Sequence, residues 1–203
     1  MVPSPPFPPG EPLPMPELSK DSLRHAALAA RKAYVATLSD AQRARLEARL
    51  ARRLTALCAG ATVVGGYAAI GSEISGQAAM EEARAVGAIV AYPAFANPAK
   101  PFVFRAGDPT EGGPFGILQP RKGAPAVEPD LILVPLIAID GRGTRLGRGK
   151  GHYDRALGRL RKSGAKLVGV GWSIQRLADT IPADEWDIPL DGFASPDRLE
   201  WFR

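Results

Sequence analysis

Residues 131–155 read LILVPLIAIDGRGTRLGRGKGHYDR. The run 131–139 is apolar almost without a break, so it has no polar face to turn to water. Such a segment reads as a strand buried on both sides, as at the centre of a parallel sheet. Proline has no N–H to give a ladder, which puts Pro135 at the strand's end or at a bulge. Behind the glycines, a helical pattern over 152–162 ends at Ser163-Gly164, and KLVGVGW (166–172) supplies a further strand. Strand, loop, helix and strand in that order specify an α/β domain.

The upstream chain fits this frame. TVVGGYAAI (62–70) reads as a strand, GQAAMEEARAVG (76–87) as a helix closed by Gly87, and AIVAYPAF (88–95) as a second strand. A strand–helix–strand unit of this length favours parallel pairing with a right-handed crossover. Leu23, Leu28 and Tyr34 place a helix over 20–38. Ser39-Asp-Ala-Gln42 has capping-box spacing and starts a second helix, with Leu46, Leu50, Leu54 and Leu57 on its buried side as far as Gly60. Residues 96–128, rich in Pro and Gly, yield only a short strand near 102–105. The expected architecture is a three-layer α/β/α domain over 19–203, with a mostly parallel central sheet and an N-terminal helical pair.

Residues 1–18 stand apart, because eight of the 20 prolines fall between Pro3 and Pro16. Proline at that density favours an extended, solvated chain, so this segment reads as a disordered tail. It lacks the charged and apolar regions of a secretory signal. Its PxxP spacings, Pro3–Pro6 and Pro6–Pro9, are ones that proline-rich segments contain by chance.

The 203 residues are 45% hydrophobic and 23% charged, normal for a globular domain. No run nears the ~20 apolar residues a bilayer span needs. The single Cys58 excludes a disulfide framework and fits a reducing compartment. Lying among Leu50, Leu54 and Leu57, it reads as a small buried hydrophobe. The net charge of +5 is concentrated in residues 20–54, with nine Lys/Arg against Asp21, Asp40 and Glu47. Such a basic helical face is either solvated or turned to an anionic partner: nucleic acid, a membrane surface or a phosphorylated ligand.

The chemistry concentrates in Asp140–Arg155, at the strand end where open α/β sheets bind ligands. Gly141, Gly143, Gly147, Gly149 and Gly151 let backbone N–H groups approach an anion. Arg142, Arg145, Arg148 and Lys150 add mobile positive charge, and the helix that follows adds its partial positive end. These features describe a polyphosphate cradle. It is neither Walker A, since Thr144 and Gly151 break that spelling, nor GxGxxG, since Leu146 and His152 fall on required glycines. An alternative is a non-catalytic RNA-binding module using the basic helices and this Arg/Gly loop. That module would lack interleaved aromatics and leave the acids Glu73, Asp154 and Asp187 unexplained. Asp154 reads either as an acid complementing the helix dipole or as a Mg²⁺ ligand beside bound phosphates. PADEWDIPLD (182–191) offers a second carboxylate.

VPLIAIDGRGTRLGRGKGHYDRAL (134–157) closely resembles the signature of the 5-formyltetrahydrofolate cyclo-ligase, or methenyltetrahydrofolate synthetase, family. Lys20-Asp-Ser-Leu-Arg24, Glu73, Pro93, Phe115-Gly116-Ile117 with Pro120, and Gln175 with Trp186-Asp187 resemble further family elements in the same order. Gln119 stands where the family usually has glutamate, and His152 replaces the first tyrosine of the commoner "GYYD". A lone His beside cations stays largely neutral near pH 7 and is given no acid–base role.

The resemblance implies a cytoplasmic, monomeric, ATP-dependent ligase with neither nucleic-acid nor membrane partner. It would convert 5-formyltetrahydrofolate to 5,10-methenyltetrahydrofolate, with ATP and Mg²⁺ as the companions. ATP falls to Lys20, Asp21, Ser22, Leu23 and Arg24, and to Arg145, Leu146, Gly147, Arg148, Gly149, Lys150, Gly151, His152 and Tyr153. Folate falls to Tyr67 or Ala68, to Glu73 and to residues 148–152. Arg145, Arg148 and Lys150 carry the catalytic charge, and Asp154 and Asp187 hold the metal. Glu73 could equally be a helix-start acid. The remaining arginines of 20–54 are expected on a solvated face.

Overall fold

The computed structural model describes residues 19–97, 101–149 and 151–202. The expected tail, 1–18, lies outside the described residues. Among the described residues four α-helices form: α1 (Lys20–Ala36), α2 (Asp40–Ala59), α3 (Gln77–Ala85) and α4 (His152–Lys162). The strands are β1 (Val63–Gly65), β2 (Ile89–Ala94), β3 (Val103–Ala106), β4 (Glu111–Gly112), β5 (Leu118–Gln119) and β6 (Ala126–Val127). They continue with β7 (Leu131–Pro135), β8 (Ala138–Ile139), β9 (Arg145–Leu146), β10 (Lys166–Val170), β11 (Gly192–Ala194) and β12 (Leu199–Trp201).

Eight strands make the central sheet in the order β12-β11-β10-β7-β1-β2-β3-β6. The five from β11 to β2 run parallel, and antiparallel strands close both edges. Alternation along β7 sends Leu131 and Leu133 into the core beneath α2 and α3, and Ile132 and Val134 into the core beneath α4. That is the doubly buried strand the apolar run requires. Ser39 caps α2 in a complete capping box with Gln42, as its spacing predicts. Cys58 is buried, and desolvation pushes its thiol up to about 11. No helix among the described residues is long and apolar enough to cross a membrane.

Three expectations need correction. Residues 131–139 are not one strand: β7 stops at Pro135, and the chain re-enters pairing as β8, in a separate hairpin with β9. The Leu136 carbonyl then bonds to Arg31 and Gln175 side chains instead of a neighbouring strand. Of residues 62–70 only β1 joins the sheet, because the chain beyond Gly66 turns away toward the cavity described below. Finally, β6, β11 and β12 were not legible in the sequence, being two or three residues long with no period to detect.

α1 meets the core of the sheet only toward its C-terminal end, where Tyr34 and Val35 pack. Its Leu23, Ala27 and Leu28 pack on Ile137, Ala138, Leu146 and Ile181, beyond the C-terminal end of β7. The basic helix therefore roofs the loops at the end of the sheet where α/β folds bind ligands.

Candidate functional site

From β1 the chain moves to β2 on one side, while β7, β10 and β11 build outward on the other. The strand order reverses between β1 and β7, so the loops following those two strands part and leave a crevice. A cavity of about 710 Å³ lies there. Its wall includes Tyr67, Ala68, Ile70 and Glu73 after β1, Pro93 and Phe95 at the end of β2, and Pro135–Ile137 after β7. Arg145, Gly147–Gly149 and Gly151–Asp154 close it from below.

The glycine-rich segment divides into two parts with different work. Gly141 and Gly143 belong to the turn of the β8–β9 hairpin and do not face the cavity. Gly143 has φ +80°, and a Cβ there would meet the Leu190 carbonyl at 2.4 Å, so only glycine fits. The turn is organised by Asp140, which is fully buried. Its carboxylate accepts from the backbone N–H groups of Arg142, Thr144 and Ile181 at 2.9, 2.9 and 3.0 Å, and from the Arg142 guanidinium at 3.2 Å. Burial disfavours the charge, but these donors outweigh it and hold the carboxyl below its ordinary range. Arg142 is thus tied to Asp140 and to the Ile181 carbonyl, and the mobile role expected of it is corrected.

Gly147, Gly149 and Gly151 do line the cavity. Gly151 takes φ +62° at the start of α4 and gives no side-chain cap, leaving the first N–H groups of the helix uncapped by it. Arg24 donates to the Gly147 carbonyl at 3.0 Å and pairs with Asp21, bracing the loop from α1. The Arg145 side chain is only 4% exposed and donates to Asp154 at 2.8 Å. Desolvation lowers its pKa against the pull of Asp154. Leu146 is core rather than wall. Tyr153 packs edge-on against Phe102, at 5.0 Å between centroids, and desolvation raises its phenol. His152 stacks edge-on with Phe95, and its Nδ1 lies 3.0 Å from the Arg155 guanidinium. Lys150 lies outside the described residues.

Opposite the glycines, Glu73 is buried and held on every side. Its Oε2 accepts from Ile70 N at 2.9 Å. The loop carrying it is clamped by Arg43 on the Glu73 carbonyl (2.8 Å), Trp172 on the Ser72 carbonyl (2.9 Å) and Arg31 on Ser72 Oγ (3.0 Å). Tyr67 donates to the Ile74 carbonyl at 2.6 Å, and burial raises its phenol well above 10. Arg148 reaches across from the glycine loop to Glu73 Oε1 at 2.8 Å, with half its side chain in solvent.

Lys20 lines the same cavity, with its ammonium on Asp184 (2.5 Å) and on Asp187. Burial opposes the charges, yet pairing raises the lysine and lowers Asp187. Asp154 and Asp187, expected together, both face this cavity. Among the described residues no three His, Cys, Asp or Glu gather into a metal cluster. Asp21 and Ser22 point outward and Leu23 into the core, so only Lys20 and Arg24 of that element reach the wall.

The sequence left several wall residues unassigned: His25, Leu28, Phe95, Phe102, Ile117 and Trp186. Phe95 and Phe102 form an aromatic end, 5.5 Å between centroids. Ile117 and Trp186 were quoted within family motifs, but no local pattern shows that they share a cavity. Gln119, standing for glutamate, accepts from Phe95 N at 3.0 Å, which a neutral amide oxygen does as well as a carboxylate. Gln175 bonds the Leu136 and Ile137 carbonyls and so holds the bend after β7. The expectation of solvated arginines holds for Arg45 and Arg52, which are exposed, and is corrected for others that find partners. Arg31 is 2% exposed, Arg43 bonds Glu47, Arg49 pairs with Asp197 and Arg53 donates to the Pro196 carbonyl. With Arg31 buried and the described glycines and arginines of 145–151 lining a cavity, nothing favours the RNA-binding alternative.

Comparison with known proteins identifies the family. The model of the 5-formyltetrahydrofolate cyclo-ligase family matches residues 16–196. A 5-formyltetrahydrofolate cyclo-ligase from Mycolicibacterium smegmatis is 31% identical over 190 residues, covering 89% of this chain and 95% of that protein. The Escherichia coli K12 enzyme of the same name is 38% identical over 85 residues, a match spanning only 46% of its length and 41% of this chain. The NMR structure of Aquifex aeolicus 5,10-methenyltetrahydrofolate synthetase superposes with a TM-score of 0.74 at 30% identity, covering 92% of this chain and 94% of that one. By the extent of these matches and the signature at 134–157, the chain belongs to the 5-formyltetrahydrofolate cyclo-ligase family.

Proposed function

We propose that this protein converts 5-formyltetrahydrofolate and ATP to 5,10-methenyltetrahydrofolate, ADP and phosphate. The observation that carries this reading is one cavity in which a glycine loop at a helix N-terminus faces a clamped glutamate across a single arginine. The N5-formyl group is an amide whose carbon is a poor electrophile. Its oxygen attacks the γ-phosphorus and ADP leaves, giving an imidate-like phosphate. N10 then bonds to the formyl carbon and loses its proton, and the C–O bond breaks to release phosphate. No protein nucleophile is required, which suits a chain whose cysteine is buried.

Phosphoryl transfer asks mainly for positioning and neutralisation of charge. The amides of 147–149 and 151, with Arg145 and Arg148, bring positive charge to the transferring group, and the sequence assigns Lys150 the same role. Arg24 and Lys20 secure the phosphates from α1. Glu73, with Tyr67 and Ala68 beside it, takes the folate. A substrate that engages the Glu73 carboxylate releases Arg148 toward the phosphates, so folate arrival and charge delivery are linked. Two carboxylates on a phosphate-binding wall suit Mg²⁺, which needs one or two and completes its shell with phosphate oxygens and water. Asp154 and Asp187 would hold it, and when bound it supplies neutralisation of phosphate charge.

The test is direct. Mixing the protein with 5-formyltetrahydrofolate, ATP and Mg²⁺ is expected to raise the absorbance of methenyltetrahydrofolate, and to do nothing without ATP. No ATP-dependent rise would overturn the reading. Lys150→Ala is expected to lower kcat roughly tenfold or more, the scale of losing one charge-stabilising contact. The folate KM should hardly move. Unchanged turnover would remove Lys150 from its role.

A further inference from the structure

Arg31 is 2% exposed and does not line the cavity. Burying a guanidinium is costly unless hydrogen bonds and an opposite charge compensate. Its bonds go to neutral oxygens: Nε donates to Ser72 Oγ at 3.0 Å, and Nη1 to the Leu136 carbonyl at 3.1 Å. These two close a ring of hydrogen bonds. Trp172 Nε1 donates to the Ser72 carbonyl at 2.9 Å, Trp172 N to Gln175 Oε1 at 2.8 Å, and Gln175 Nε2 to the Leu136 carbonyl at 2.7 Å. The ring ties α1 to the turns that follow β1, β7 and β10. A neutral donor would satisfy the same oxygens without the cost of a buried charge.

What that charge faces is Glu73, next in the chain to Ser72. Burial disfavours the Arg31 cation, the Glu73 carboxylate supports it, and Arg148 repels it. Glu73 thus has two cations in its field. Arg148 touches it at 2.8 Å with half its side chain in solvent, whereas Arg31 is fixed behind the loop. We propose that Arg31 is the positioning residue for Glu73. It holds the Ser72–Glu73 turn against the bend after β7, and it stays as the standing counter-charge when Arg148 turns to the phosphates. Its planar fork reaches acceptors on two different loops, which a lysine's single ammonium does not match. Arg31 also loosens the hold of Glu73 on Arg148, because two like charges share one carboxylate.

Arg31 has this role only if Glu73 takes the folate, as proposed above, and binding measurements separate the two. Calorimetry on the full chain gives the affinity for 5-formyltetrahydrofolate without nucleotide, and for a non-hydrolysable ATP analogue with Mg²⁺ and no folate. Arg31→Met keeps an unbranched apolar stem without charge or donors. It should weaken folate binding roughly tenfold or more, the scale of a lost charged hydrogen bond, and leave the nucleotide affinity within about twofold of the parent's. Arg31→Lys restores the charge without the fork and should recover part of the loss. Ser72→Ala removes one acceptor and keeps the cation. It should weaken folate binding severalfold, and it carries the test if Arg31→Met does not fold. In a Glu73→Gln background Arg31→Met should add little, since the charge it serves is gone. Parent-like folate affinity in Arg31→Met or Ser72→Ala would overturn the inference and leave the proposed reaction standing. So would equal losses for both ligands alongside a lowered melting temperature, the mark of a purely structural residue, or full additivity with Glu73→Gln. A parent-like folate affinity in Glu73→Gln would overturn both.

Discussion

Asp154→Asn is expected to lower turnover roughly a hundredfold, the scale of a misplaced catalytic group. It is also expected to raise the Mg²⁺ concentration needed for half-maximal rate. The substitution keeps size and hydrogen bonding while removing one negative charge. That charge has two uses in this fold. It faces the cavity where Mg²⁺ would sit, and it is the 2.8 Å partner of the nearly buried Arg145. Leaving a buried guanidinium without its counter-charge should cost about 2 kcal/mol, below the full penalty for a buried pair because Asp154 is one-fifth exposed. Rate against Mg²⁺ at saturating ATP and folate separates the uses. A lower rate with an unmoved midpoint leaves Asp154 as the group positioning Arg145. Parent-like rate and midpoint would reduce it to an acid at a helix start.

Asp140→Ala is expected to be the most destabilising single change in the signature, by about 3–5 kcal/mol. In a domain of this size that lowers the melting temperature by roughly 10 °C. Asp140 never meets substrate. Its loss strands the N–H groups of Arg142, Thr144 and Ile181 in a buried turn, and frees the turn from the segment around Ile181. Asparagine should recover only part, since its NH₂ would face one of these donors. The pH dependence follows from the direction of the shift. The folded pKa lies below the ordinary 3.8, so the stabilisation is complete above that value and fades as pH falls through the folded pKa. The gap between parent and Asp140→Ala, measured by thermal melts, should therefore be constant from pH 5 to 8 and shrink as the pH is taken below 3.8. A parent-like melting temperature at neutral pH would refute Asp140's role.

A sequence speaks plainly where the deciding interactions are local. Ser39 and Gln42 find each other three residues apart, so the α2 cap was legible. The apolar run 131–134 needed no partner to declare itself buried on both faces, while proline chemistry left an end or a bulge at Pro135, and the structure has the end. The glycine and arginine spelling of 145–151 pointed to a ligand-facing loop, and Gly147, Arg148, Gly149 and Gly151 do line the cavity. The strand order and the crevice it opens were not legible, and neither was the division of 140–151 into a structural hairpin turn and a cradle. Gly143 and Gly149 look alike as letters, yet one is fixed by the Leu190 backbone and the other faces the cavity. Arg31 read as one solvated cation among nine, but it seals the Leu136 carbonyl 105 positions away. Trp172 likewise holds the Ser72 carbonyl across 100 positions. Periodicity and propensity describe how a residue treats its near neighbours. Which distant carbonyl a buried guanidinium satisfies, and which aromatic rings share a cavity wall, is decided only when the sheet brings the ends of β1, β2 and β7 together.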